Sequence, residues 1–352
     1  MSLDNATLTI VISLLCIVVG TIVVHGAWRA IGAWRINRAG PRPLHAVKHV
    51  LWRDPGEVAT RDLRHGPGGA DLKPAPPFTF IEEHAGGSQP CVSVRDARGR
   101  RWRVKWGHEV RSETFAVRFV WTVGYFAEIT HFVANGTIDD AKDLQRARSC
   151  IDDNGRFVDA RFEIDDPEVK KLFEEHGWAW NDNPFLGTRE LQGLKILVML
   201  LSNWDAKDRR DVARGSNTAI FEYRLPDGVR EARYLITDWG GSMGRWGGNI
   251  VTRGRWDPMG FEDQTPQFVT AVEEGLVRFG YAGQRTEEVA TGITVEDVRW
   301  LCRYLEGLTD AQLVDGLRAS GGSEEEAARF SAALRSRIEQ LKRAAASGFD
   351  RL

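Results

Sequence analysis

The chain has 352 residues, of which 42% are hydrophobic and 27% charged, and its formal net charge is −2. This composition is ordinary for a folded protein, and the near balance of charge excludes a global electrostatic attraction to nucleic acid. The four cysteines are widely scattered, so they indicate neither a disulfide framework nor a cysteine metal site. The length allows two modest globular units or one larger one.

An apolar segment lies close to the amino terminus. Residues 6–28 contain no Lys, Arg, Asp or Glu, and a stretch of this length can span a bilayer as a helix. Six cations follow within residues 29–53, and the positive-inside rule assigns that side to the cytoplasm. We therefore predict a single-pass transmembrane helix in the cell inner membrane, with a cytoplasmic catalytic domain behind it. The alternative is a buried core helix.

Residues 29–77 are predicted to form a basic juxtamembrane linker, because clusters of Gly and Pro interrupt them and periodic apolar content is low. A compact domain is expected to begin at Phe78. Its first elements are three predicted strands, followed by three helices, the first starting near Ser112 and the third capped by Thr188. The predicted strands are 78–82, 91–95 and 101–106, and the predicted helices are 112–124, 167–176 and 188–201.

The later part of the chain is predicted to be mainly helical. A hairpin is expected over 217–224 and 231–237, because Pro226-Asp227-Gly228 is typical of a turn. The predicted helices of the tail are 266–280, 294–306, 309–319 and 323–345. Strands followed by helices predict an α+β fold with two lobes: a small β-rich N-lobe at 78–135 and a helical C-lobe at 136–350.

Two short polar segments each place a carboxylate directly after an apolar element. Ser-Asn-Trp-Asp at 202–205 follows the helix at 188–201, and Thr-Asp-Trp-Gly-Gly at 237–241 follows the second strand of the hairpin. The carboxylates are those of Asp205 and Asp238. We name these segments the Asp205 turn and the Asp238 turn.

The order of these turns resembles that of atypical kinase-like proteins: the HipA-type persistence kinases, the CotH-type spore-coat kinases and the phosphoinositide-kinase-like group. The likeness is greatest to an uncharacterised bacterial kinase-like set that shares segments similar to Arg-Trp-Arg-Val-Lys-Trp-Gly at 101–107 and the run at 112–125. It covers roughly residues 78–345. It implies a two-lobed protein-kinase-like fold that binds ATP and Mg²⁺.

For the nucleotide, the resemblance implies a set of contacts from the N-lobe. Lys105 would contact the α- and β-phosphates, and Glu113 on the following helix would pair with it, with Glu109 as the alternative partner. The loop between the first two strands would cover the phosphates with its backbone amides. Its residues are Gly86, Gly87 and Ser88.

For the transfer step, Asp205 would orient the acceptor hydroxyl and Lys207 would neutralise the developing charge. Asp238 would bind Mg²⁺. In such kinases an Asn follows the catalytic aspartate by a few residues as a second metal ligand, but this chain has Arg209-Arg210-Asp211 there. The second ligand is therefore expected to be Asn217, with Asp211 as the alternative.

The sequence predicts a membrane-anchored atypical phosphotransferase that uses Mg-ATP, with an unidentified protein or small-molecule acceptor and no nucleic-acid partner. The alternative is a pseudokinase-type scaffold that binds nucleotide and recruits partners at the membrane. The departure after Asp205 favours this alternative. The residues that favour the enzyme are Lys105, Glu113, Asp205 and Asp238. A metal hydrolase is disfavoured, because the eight histidines do not cluster and no His-Glu-x-x-His motif occurs.

Overall fold

The computed structural model describes residues 48–166, 177–206, 217–247, 253–284 and 286–347. The predicted transmembrane segment at 6–28 and the predicted helix at 167–176 lie outside these residues. Within the described ranges, no helix is both long and apolar enough to cross a membrane.

The described residues contain both strands and helices. The strands are β1 (Lys48–Val50), β2 (Phe78–Glu83), β3 (Cys91–Arg95), β4 (Arg101–Lys105), β5 (Thr130–Asp139), β6 (Arg156–Ile164), β7 (Thr218–Arg224), β8 (Arg230–Ile236), β9 (Val269–Glu273) and β10 (Leu276–Phe279). The α-helices are α1 (Val110–Thr122), α2 (Arg189–Leu200), α3 (Pro258–Gln264), α4 (Thr286–Ala290), α5 (Val295–Leu305), α6 (Asp310–Ala319) and α7 (Glu324–Ala346).

Five strands form a closed barrel in the order β2-β3-β4-β6-β5. Closure comes from parallel pairing of β2 with β5, and the other pairs are antiparallel. The interior is filled by aromatic side chains, with Phe162 in contact with the rings of Phe78, Trp102 and Phe157. The three predicted strands of this region are confirmed.

Strands β5 and β6 were not predicted from the sequence, and the predicted boundary between N-lobe and C-lobe at 135/136 falls inside β5. Phe162 and Ile164 of β6 face the barrel interior, but Arg161 and Glu163 alternate with them and are also buried. Residues 160–164 alternate apolar with charged side chains, so the strand signal was present in the sequence and was missed.

The predicted hairpin is confirmed as β7 and β8, and it has a third strand that was not predicted. β1 pairs in parallel with β8, with Val50 opposite Arg233. The chain after β1 is also packed, because Leu51, Val58 and Leu63 are buried. From Lys48 onward, the segment predicted as a linker is therefore part of the folded unit.

Helix α1 confirms the predicted helix but begins earlier than expected. Ser112 lies in its first turn and is not its N-cap; the Ser112 Oγ donates a hydrogen bond to the Gly240 carbonyl at 3.0 Å. Helix α2 has the predicted cap, since the Thr188 hydroxyl accepts a hydrogen bond from the Leu191 amide. Both helices end close to the bounds that their apolar periodicity predicts.

The helix predicted at 266–280 is wrong, because these residues form the antiparallel hairpin of β9 and β10. The turn between the strands consists of Glu274 and Gly275, both with positive φ (51° and 79°). Two-residue turns of this kind match the twist of a hairpin. The helices predicted at 294–306, 309–319 and 323–345 are confirmed as α5, α6 and α7.

Arg337 of α7 connects the carboxy-terminal helix to the end of α2. Its side chain is buried and makes no ion pair with any described residue. Its guanidinium donates to the Leu200 carbonyl and the Ser202 hydroxyl, each at 2.8 Å, and to the Phe261 carbonyl at 2.8 Å. A cation at the C-terminus of α2 satisfies carbonyls that the helix leaves unpaired. Arg337 thereby supports the first residue of the Asp205 turn.

Substitution of Arg337 by Met is expected to lower the free energy of unfolding by about 2 kcal/mol. Each buried acceptor left without a donor costs about 1–3 kcal/mol, and removal of a buried charge offsets part of that cost. Urea unfolding followed by circular dichroism measures the change. Arg343→Met on the exposed side of the same helix is the matched control. Equal free energies of unfolding for the two variants would show that the hydrogen bonds of Arg337 do not stabilise the fold.

Candidate functional site

The two acidic turns, distant in the sequence, lie in contact in the structure. The side-chain amide of Asn203 donates to the Asp238 carbonyl at 3.1 Å. The backbone amide of Trp204 donates to the Gly241 carbonyl at 3.3 Å. The Asp205 turn and the Asp238 turn are therefore linked by direct hydrogen bonds, which brings together the residues that the sequence selected.

Local backbone geometry shapes each turn. Ser202 has a φ of 51° and so turns the chain sharply at the end of α2. In the second turn, the Asp238 carboxylate accepts a hydrogen bond from the Gly240 amide at 2.9 Å. A Cβ on Gly241 would lie only 2.9 Å from the Asp205 Cβ, so a glycine is needed where the two turns meet.

Asp205 is held by residues that the sequence did not indicate. Its Oδ1 accepts a hydrogen bond from the Gln284 Nε2 at 2.7 Å. The hydroxyl of Tyr281 donates to the Asn203 carbonyl at 2.6 Å, and burial together with the Asp205 charge raises the Tyr281 pKa. Gln284 and Tyr281 are nearly 80 residues further along the chain, and no local motif marks them.

Asn217, which the sequence analysis expects as the second metal ligand, contacts both turns. Its side-chain amide nitrogen donates to the backbone carbonyl of Asp205. Its backbone carbonyl accepts a hydrogen bond from the Thr237 amide at 2.9 Å. Asn217 thus contacts the backbone on both sides of the site. The other residues proposed near Asp205, Lys207 and the alternative ligand Asp211, lie outside the described residues.

A buried ion network connects the barrel to α1. Arg161 of β6 has a side chain only 1% exposed, and it pairs with Glu113 of α1 and, at 3.2 Å, with Glu163 of its own strand. Lys105 of β4 lies 3.9 Å from the same Glu163, with 35% of its side chain exposed. The carboxylate paired with Lys105 is therefore Glu163, and the predicted pair of Lys105 with Glu113 is wrong.

Glu109, the alternative partner predicted for Lys105, has a different contact. It pairs with Arg255 at 3.1 Å, and its side chain packs against Gly240, where a Cβ would lie 2.7 Å from the Glu109 Cγ. Arg255 also lies over the Trp204 ring, 4.7 Å from its centroid. Glu109 and Arg255 therefore connect the start of α1 to both turns.

The site carries an excess of negative charge. Burial raises the pKa of Glu113 to about 8, and the Asp238 charge acts in the same direction, while Arg161 and Lys105 oppose it. Burial and Asp238 also raise the pKa of Glu109. A carboxylate whose charge adds to the raised pKa values of its neighbours favours a cation beside it.

The loop at 86–88 is exposed, and hydrogen bonds from Arg146 hold it in place. The Arg146 guanidinium donates to the carbonyls of Gly86 and Gly87 at 2.6 and 2.8 Å. The Glu83 carboxylate, at the end of β2, accepts from the Arg146 amide at 2.8 Å. Gly86, Gly87 and Ser88 thus form a braced hairpin tip, and no described contact joins them to either acidic turn.

The donor chemistry of the two turns fits magnesium bound together with a phosphate. Among the described residues, no group of three or more His, Cys, Asp or Glu side chains could hold a metal ion. Mg²⁺ needs only one or two carboxylate or amide oxygens when phosphates and waters supply the rest. Asp238 and Asn217 offer one carboxylate and one amide on neighbouring backbone segments.

Comparison with protein-family models, with curated proteins and with solved structures gives no match. The resemblance to kinase-like proteins therefore depends on the motif residues themselves.

Substitution of Glu113 by Gln is expected to reduce the pH dependence of stability. The folded-state pKa of Glu113, about 8 against an ordinary 4.5, means that the folded protein holds this proton more tightly. The wild-type free energy of unfolding should therefore fall as the pH rises from 5 to 8, by at least about 1 kcal/mol, because one unit of pKa difference is worth about 1.4 kcal/mol.

In the Glu113→Gln variant, the free energy of unfolding should depend much less on pH. Urea titrations at pH 5, 6, 7 and 8 measure it, with Glu287→Gln at an exposed position as the control. The groups that face Glu113 are Arg161, Asp238, Lys105 and Glu163. An identical pH dependence of the free energy of unfolding in the wild type and the Glu113→Gln variant would contradict the raised pKa of Glu113.

Proposed function

We propose that the chain is a membrane-anchored, kinase-like phosphotransferase that uses Mg-ATP. The observation that carries the proposal is the hydrogen bond from the Asn203 side chain to the Asp238 carbonyl. It holds two carboxylate-bearing turns side by side, next to the helix that follows the lysine-bearing strand. Phosphoryl transfer requires mainly such positioning, together with neutralisation of phosphate charge.

The nucleotide half of the proposal depends on Lys105 of β4, the third strand of the barrel. Protein kinases hold phosphates with a lysine on the third strand and a glutamate that steadies it. Here Glu163 is the acid that would steady Lys105, and Glu113 instead contacts Arg161. The braced loop at 86–88 would cover the phosphates.

In the transfer half, Asp205 would accept a hydrogen bond from the acceptor hydroxyl and orient it for attack. Its side chain is held by Gln284, and its backbone by Asn217, so it would be pre-positioned. Lys207, two residues on, would neutralise charge on the transferred group. The acceptor is a protein or a small molecule with a hydroxyl.

Asp238 would hold Mg²⁺, with Asn217 as the second ligand. The ion would supply neutralisation of the charge on the nucleotide phosphates. Burial is the main cause of the raised pKa values of Glu109 and Glu113, and the Asp238 charge adds to it. That second contribution supports a cation beside Asp238. The proposed membrane helix at 6–28 would keep this site at the cytoplasmic face.

Transfer from ATP is tested with the full-length chain in detergent, incubated with γ-labelled ATP and Mg²⁺. Asp205→Asn and Asp238→Asn should each lower labelling or ATP turnover at least about 100-fold, the range for loss of a positioned acid or base. Asp227→Asn, in the turn of the hairpin that carries Asp238, is the matched control and should retain full activity. Equal turnover in all four proteins would overturn the mechanism.

A second candidate is a scaffold that binds nucleotide without transferring phosphate. One observation favours it: Arg209-Arg210-Asp211 follow Asp205 in the sequence, where such kinases carry the Asn that binds the second metal. Thermal unfolding with ATP, with and without Mg²⁺, separates the candidates. A rise in melting temperature that needs no Mg²⁺ and survives in Asp238→Asn, with no turnover, supports the scaffold. A rise that requires both Mg²⁺ and Asp238 supports the enzyme.

A further inference from the structure

A cleft of about 350 Å³ lies between the end of α1, the β7–β8 hairpin and the chain after β1. It is separate from the two acidic turns, none of whose residues lines it. Its walls carry three guanidinium groups and several aromatic rings, which lie among apolar residues. A volume of this size accommodates a small organic molecule.

Arg61 is the guanidinium with the fewest partners in the cleft. Its guanidinium carbon lies over the Trp121 ring, 3.7 Å from the centroid, and its terminal nitrogen donates to the Trp121 carbonyl at 3.0 Å. Its Nε is buried and has no hydrogen-bond partner. Within the described part of the chain, Arg61 also has no ion pair, and its half-buried guanidinium leaves donors for an anion in the cleft.

The other two guanidiniums share one acid. Arg53 donates to both oxygens of Glu231 at 2.8 and 2.7 Å, and Arg233 donates to one of them at 3.1 Å. Arg233 is also held between two rings, 3.8 Å from the Tyr223 centroid and 4.8 Å from that of Phe126. Glu231 is thereby fully used, and it cannot neutralise Arg61.

Glu231 lies behind the lining, and the acid in the lining itself is Asp54, which is exposed and accepts a hydrogen bond from the Gly56 amide. Three cations therefore face two carboxylates, and the cleft has a net positive charge. The rest of the wall is apolar and includes Pro55, Pro67 and Ile129. The combination of one unpaired guanidinium with flat apolar walls selects a planar ring that bears a negative group.

We propose that this cleft binds a small aromatic anion, whose carboxylate or phosphate pairs with Arg61 and whose ring packs against Pro55, Pro67 and Ile129. The proposal does not depend on phosphoryl transfer, because it uses none of the residues assigned to that function. Carboxylate and phosphate share the chemistry that Arg61 recognises, and the two are separated by experiment.

Binding is measured by isothermal titration calorimetry of the full-length chain with benzoate, phenyl phosphate and the neutral benzyl alcohol. The wild type should bind at least one anion and bind benzyl alcohol at least about tenfold more weakly, since about 1.4 kcal/mol of charge-assisted hydrogen bonding is tenfold in affinity. Stronger binding of phenyl phosphate assigns the ligand as a phosphate, and stronger binding of benzoate assigns it as a carboxylate.

Arg61→Gln should weaken anion binding at least about tenfold. Arg64→Gln, on the same segment but with an exposed side chain outside the cleft, is the matched control and should bind as the wild type does. Arg61→Lys keeps the charge but lacks the planar fork, so it should weaken binding less than Arg61→Gln; it serves also if the Gln variant fails to fold.

Three results would overturn the proposal. They are equal affinity of the wild type for benzyl alcohol and the anions, unchanged affinity in both Arg61 variants, and no binding of either anion by the wild type.

Discussion

The pairing of Arg161 with Glu113 determines how the barrel and helix α1 meet. A guanidinium that is 1% exposed needs partners for its N–H groups. Arg161 finds them in Glu113 of α1 and Glu163 of its own strand, so the first turn of α1 lies against β6. Ser112 and Glu109 then reach Gly240 from the same turn of the helix. The position of the Asp238 turn is therefore set, through α1, by a charge buried in the barrel wall.

The same network distributes charge within the proposed active site. Arg161 pairs with Glu113, so the carboxylate closest to Lys105 is that of Glu163. Glu163 also pairs with Arg161. Lys105 is thereby held at a distance of 3.9 Å without a tight contact, and part of its side chain stays exposed. A lysine in that condition can exchange its acid for a phosphate at low cost, since loosely held ion pairs contribute little stability.

The sequence predicted those parts of the fold that local patterns specify. The barrel strands before α1, the cap of α2 and the last three helices follow from alternation, capping residues and helical periodicity. The β9–β10 hairpin was missed although Glu274-Gly275 marks its turn, because apolar spacing was read as helical. In the site, Asp205, Asp238 and Asn217 were selected by their order, whereas Arg161, Gln284 and Tyr281 were not. These three act through contacts between distant segments, for which one sequence has no local signal.

Arg337 gives the order of synthesis a physical consequence. The guanidinium that supports the end of α2 belongs to a residue 137 positions after its acceptor, Leu200. At about 5–20 residues per second, the ribosome needs roughly 7 to 27 s to add that stretch. Once residue 241 has been added, the nascent chain contains both acidic turns, but until α7 follows, Arg337 is not there to donate to the Leu200 carbonyl and Ser202. The site can therefore reach its final structure only after α7 has been synthesised. A chain stalled before α7 would contain both turns without the hydrogen bonds from Arg337.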